Sequence, residues 1–117
     1  MKELIQLLFK SQVEAHLTHI VQPSKTLSKH EALIIYYTTL EDLVDTLAET
    51  YFDLNEVENL KISECNVITD PVKYFTDLYN MLEVLRKPIK ETFIQNQISE
   101  CQQLIAHTLY RLKNIIT

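Results

Sequence analysis

The sequence predicts an all-α chain folded as a four-helix bundle, and three observations predict it. Apolar residues recur at helical spacing in four separate segments. No segment alternates with period two for long enough to read as a strand. The connections between the segments are short, long and short, which is the rhythm of two helical hairpins joined by a crossover. A chain of 117 residues forms one domain, 1–117, with 46% apolar and 23% charged residues, ordinary values for a globular protein.

The first helix, α1, is predicted from about Lys2 to Val21, with Ile5, Phe9, Val13 and Ile20 along one side and Pro23 marking its end. Ser28 and Glu31 have the spacing of a capping box, so α2 should begin at Lys29 and run to about Phe52. Its seam is Leu33, Tyr37, Leu40, Val44, Leu47 and Tyr51, in steps of four and three. The pattern lapses from Asp53 to Thr69, which leaves room for a short helix and no more. Asp70 can accept from orphan amides and Pro71 suits the first helical position, so α3 starts there. Phe75, Leu78, Leu82 and Leu85 form its stripe, and Arg86, Lys87 and Pro88 close it. Thr92 and Gln95 form a second possible box, opening α4 from about Phe93 to Ile115, with Ile94, Ile98, Cys101, Ile105, Leu109 and Leu112 inward.

The central connection of about 17 residues can reach ~56 Å, more than the ~36 Å length of a 24-residue helix. It can therefore return along the bundle and leave α3 parallel to α2. One long crossover of this kind is the ferritin-like arrangement.

Composition narrows function. A formal charge of -5 without a basic run argues against direct nucleic-acid binding, which needs clustered Lys and Arg. With no glycine there is no glycine-rich phosphate loop. Cys65 and Cys101 lie far apart without CxxC spacing and read as free thiols. No apolar run suffices to span a bilayer, and the first residues lack the pattern of a signal peptide, so a cytoplasmic location is expected.

The stretch "SKHEALIIYYTTLEDLVDTLAE" contains the chemistry. Glu41, Asp45 and Glu49 stand four apart, and no lysine or arginine follows Lys29 in it. Like charges at that spacing cost roughly 0.2–0.5 kcal/mol per pair. At ~100° per residue the centre of the α2 seam lies ~60° from His30, ~120° from Asp45 and ~160° from Glu49, so both acids point away from the core. Ile34, Ala48 and Phe52 flank Asp45, which suggests that another chain covers part of this face. Of the four histidines, His16, His19 and His30 cluster near the α1–α2 turn, and His107 sits apart on α4 and reads as structural. Imidazole with carboxylate suits iron, zinc or manganese. The competing reading makes His16 and His19 cationic caps at a helix C-terminus, worth about 0.3–1 kcal/mol, beside a solvated acidic face. That reading does not extend to His30, because a helix N-terminus disfavours a cationic imidazole. The Glu-x-x-His pair of single-bundle di-iron proteins is absent.

His30, Asp45 and Glu49 in this spacing resemble the second-helix signature of the Dps branch of the ferritin superfamily. The closest likeness is to small Dps-like proteins of unknown function from tailed phages. It is strongest from Ser28 to Tyr51 and in "IQNQISECQQLIAHTLYRLK". The resemblance implies a metal site between subunits, with His19 and His30 of one chain and Asp45 and Glu49 of its twofold partner. His16 is the alternative to His19. It implies iron as the metal, with zinc or manganese as further candidates, and ferroxidase-type oxidation of Fe(II) if the site turns over. It implies a homodimer through α1 and α2, with higher assembly left open, and a place in the host cytoplasm or a virion if the chain is phage-encoded. The alternative is a non-enzymatic helical scaffold or virion-associated interaction protein that keeps the fold without the chemistry.

Overall fold

Four helices form: α1 Lys2–Val21, α2 Leu27–Leu54, α3 Pro71–Leu85 and α4 Thr92–Lys113. The structure is a computed structural model, and it describes residues 1–21 and 27–114. Among these there is no strand, and no helix is long and apolar enough to cross a membrane. The expected stop at Pro23 and the expected end of α4 at Ile115 lie outside the described residues.

The helices pack in a ring. α1 lies on α2, α2 on α4 and α4 on α3, with a lighter contact between α3 and α1. α2 and α3 are thus diagonal and meet through long side chains: Tyr36 and Phe75 touch edge to face with centroids 4.7 Å apart. The long connection accounts for this placement. It holds no helix, and it travels beside α1 in the same direction. The Lys61 N–H donates to Gln6 Oε1 at 2.8 Å, the Asn66 N–H to Glu14 Oε2 at 3.0 Å, and the Ile68 N–H to Thr18 Oγ1 at 2.8 Å. A segment climbing along α1 from residue 6 to residue 18 delivers the chain to the end where α2 begins. α3 therefore runs parallel to α2, as the length of the connection predicts.

The α1 stripe differs from the expected one. Val13 and Ile20 are 42% and 62% exposed, whereas Leu4, Leu8, Ser11, Ala15 and Thr18 are buried. Hydrophobicity misplaces the face because part of it is polar. Ser11 and Tyr36 share a hydrogen bond of 2.6 Å, and Glu14, only 6% exposed, accepts from Asn66 and from the Tyr74 hydroxyl at 2.9 Å. In the α2 seam Tyr36 takes the buried place expected for Tyr37, which is only half-buried, as is Tyr51.

The helix ends correct two expected caps. Asp70 does cap α3, accepting from the Lys73 N–H at 3.2 Å. Ser28 is not a cap, because α2 already includes Leu27. Nor do Thr92 and Gln95 form a box: Glu91 precedes α4 with no side-chain cap, and the Gln95 amide is engaged elsewhere. Its Nε2 donates to the carbonyls of Arg86 and Ile89 at 2.8 and 2.7 Å, and its Oε1 accepts from Arg86 Nε at 2.7 Å. The Arg86 guanidinium also reaches the Gln95 carbonyl and Ser99 Oγ, each at 2.8 Å, and Gln102 Oε1. This clasp joins the end of α3 to the first turns of α4.

Arg86→Ala leaves Gln95 and the buried Gln102 short of a charged donor, so it should cost about 2–3 kcal/mol of stability in denaturant unfolding. A loss below about 0.5 kcal/mol would show that water replaces the guanidinium without penalty.

Candidate metal centre

Antiparallel packing of α1 on α2 sets the last turn of one beside the first turn of the other. His19 occupies the last turn of α1 and His30 is the fourth residue of α2. Their Nε2 atoms face each other at 3.2 Å, with ring centroids 4.3 Å apart. Both rings are half-buried. Two nitrogens bonded to one ion at ~2.1 Å stand ~3.0 Å apart if cis in an octahedron and ~3.4 Å apart in a tetrahedron. The observed separation falls between these values, so small adjustments of two side chains would let both nitrogens address one divalent ion.

His16 does not join this pair. It is exposed, its ring centroid is 6.5 Å from that of His19, and it stacks on Tyr37 at 4.3 Å with the planes 11° apart. Of the two alternatives on α1, the structure brings His19 to His30. Tyr37 is the residue that sequence reasoning missed. Its hydroxyl lies 3.4 Å from His19 Nδ1, on the side of the ring away from His30. The available signal was its position seven residues after His30, two turns along and ~20° round the helix, which puts both on one face.

Burial lowers the pKa of His19 below its usual 6.5, and the charges of His30 and then His16 lower it further. This direction opposes the cationic-cap reading, since a favourable helix-end charge would raise it. It suits a ligand, which must be neutral to bind a metal.

Asp45 and Glu49 are exposed, as the helical phase predicts, and so is Glu41. Fifteen residues of helix put Asp45 ~22 Å along the axis from His30, beyond the reach of any side chain. Accordingly, among the described residues no three His, Cys, Asp or Glu side chains of this chain converge. Both cysteines are free, and burial, with a smaller contribution from Glu100, pushes the Cys101 thiol up to about 12. His107 is exposed on α4.

Residues 19–112 match the model of a family of unknown function, DUF5856. The chain belongs to that family. No curated protein and no solved structure matches it. The stretch matched to DUF5856 includes His19, Tyr37, Asp45 and Glu49 and leaves out His16.

In the metal-free DUF5856 chain, His19 should titrate below 6.5 when followed by NMR. A value lowered on folding means that the folded state binds fewer protons than the unfolded one. The neutral ring's contribution to stability is therefore intact above about pH 6.5 and lost as the pH falls through the folded value. His30→Gln and His16→Gln should each raise the midpoint, the first more than the second; an unchanged midpoint in both would remove the charge coupling.

Proposed function

We propose that this chain is a Dps-like metal-binding protein whose site is completed between two copies. His19 and His30 of one copy supply the imidazoles, and Asp45 and Glu49 of the other supply the carboxylates. The single observation that carries this reading is the 3.2 Å approach of two Nε2 atoms at the half-buried α1–α2 junction. Three further facts support it. Burial, with the charges of His30 and His16, lowers the His19 pKa, which favours the neutral ring that a metal needs. Among the described residues, the donors that one chain brings together stop at two. The exposed acids take part in no ion pair among the described residues and lie too far along α2 to serve their own histidines.

A twofold axis beside α2 solves the distance. When α2 packs antiparallel on a copy of itself about a point midway between residues 37 and 38, residues whose numbers sum to 75 stand level. Position 45 then comes opposite position 30, and each dimer has two equivalent sites. Exposed Ile35 and Val13, and half-buried Ile34 and Phe52, offer apolar surface around this helix face.

Imidazole and carboxylate donors together suit iron, with zinc and manganese as the nearest competitors. In the turnover that the resemblance implies, Fe(II) is the substrate and dioxygen or peroxide takes its electron. Carboxylate oxygens, as hard donors, favour the ferric product.

Anaerobic titration of the purified protein with Fe(II), with Zn(II) in parallel, tests the reading. Wild type should take up one ion per His19–His30 pair, His30→Ala should take up none, and Asp45→Ala and Glu49→Ala should each bind at least about 10-fold more weakly. Oxygen added to the Fe(II) form should raise ferric absorbance if the site turns over. No uptake above background would leave the alternative, a helical scaffold without chemistry. A strict monomer at high concentration would exclude the shared site.

A further inference from the structure

We infer that the Tyr37 hydroxyl is a positioning residue for this metal site, accepting from His19 Nδ1–H in the tautomer that leaves Nε2 free for an ion; the inference rests on the metal-binding reading above. Its basis is the chain of contacts Tyr37 Oη, His19 Nδ1, His19 Nε2 and His30 Nε2, with separations of 3.4 Å at the first link and 3.2 Å at the last.

Without metal, the two facing Nε2 atoms share one proton as a hydrogen bond. When His19 provides that N–H, its Nδ1 is bare and must accept, and the Tyr37 hydroxyl donates to it. When His30 provides it, His19 carries its proton on Nδ1 and donates to the Tyr37 oxygen. Metal binding through both Nε2 atoms imposes the second arrangement on His19, because the ligating nitrogen must be free of its proton. A carbonyl or carboxylate on Nδ1 could only accept, and an amide N–H could only donate. A hydroxyl does both by rotating about one bond. Tyr37 can therefore follow His19 from the metal-free to the ligated state, and its oxygen counts for more in the second, where an ion on Nε2 would make the Nδ1–H a stronger donor.

The phenol is itself held in place. Its ring stacks against His16 at 4.3 Å with an 11° tilt and lies 5.7 Å from the His19 ring. This gives exposed His16 a role that does not require it to be a ligand: it walls the outer face of Tyr37. Partners of this kind behind a ligating imidazole typically contribute about 10–100-fold in metal affinity.

The test compares Co(II) and Zn(II) titrations of wild type, Tyr37→Phe and Tyr36→Phe, with histidine ring 15N shifts recorded on the metal-free proteins. Tyr37→Phe keeps the stacked ring and removes only the oxygen. It should bind at least about 10-fold more weakly and shift the His19 Nδ1 resonance, while the buried Tyr36→Phe, whose hydroxyl faces Ser11, should bind as wild type does. Equal affinity of wild type and Tyr37→Phe, or an equal loss in Tyr36→Phe, overturns the inference and leaves the metal site standing. Failure of the wild type to bind either ion overturns the site and this inference with it.

Discussion

The crossover from Asn55 to Asp70 is the constraint on which the rest of the structure depends. It runs the length of the bundle without a helix or a ladder, so its amides must find acceptors elsewhere. α1 provides them from Gln6, Glu14 and Thr18, three side chains on one edge. Two consequences follow from the same bonds. They bring the chain back to the end where α2 starts, which makes α3 parallel to α2. Together with the buried Leu4, Ile5, Leu8 and Ala15 they fix which side of α1 faces the core and which faces the crossover. Thr18 is turned to the crossover, and the next residue, ~100° round the helix, is His19. The histidine pair at the α1–α2 junction is thus placed in part by polar contacts on another side of α1.

This explains why Glu14 is tolerated at 6% exposure without a cation. Its two oxygens are occupied by the Asn66 amide and the Tyr74 hydroxyl, so the carboxylate has donors even though it lacks a salt bridge. Tyr74 is kept as a neutral donor chiefly by its own burial, which raises its pKa. Tyr74 also rests on Phe75, which meets Tyr36, which bonds Ser11. The crossover and the diagonal contact across the core belong to one connected network.

The helices are legible in the sequence where their signals are local. The stripes of α3 and α4 stand where apolar periodicity puts them, and Asp70 caps as its side chain predicts. α1 was misread because its inner face is partly Ser, Glu and Thr, and a hydrophobic pattern does not register polar groups buried by long-range partners. Gln95 departs from its expected box for a different reason: its partners, Arg86 and Ile89, precede the helix, and the spacing of Thr92 and Gln95 alone does not register them. At the candidate site, the turn brought three histidines into one neighbourhood on the page, and helical phase aimed the acids outward. The choice of His19 over His16 and the presence of Tyr37 depended on how α1 is rotated against α2. That rotation depends on core packing and on the crossover, some fifty residues away in the chain.

The divided site proposed above would need each half to be stable alone, and the acidic and imidazole groups would meet this need differently. The acidic half is exposed, and water screens Glu41, Asp45 and Glu49 at a cost of a few tenths of a kcal/mol per pair. The imidazole half is half-buried, where an unsatisfied nitrogen would cost more. There His19 and His30 satisfy each other through the same two atoms that would bind an ion, and Tyr37 satisfies the far side of His19. The mutual hydrogen bond holds the two nitrogens near the spacing a shared ion would need, so in the proposed site binding would require only that the shared proton move to the far nitrogen of its own ring. In the proposed dimer the remaining reorganisation would be the docking of the second copy, and a slip of one helical turn, ~5.4 Å, would disrupt both proposed sites at once. Helix register is therefore the quantity on which the proposed shared centre would depend most directly.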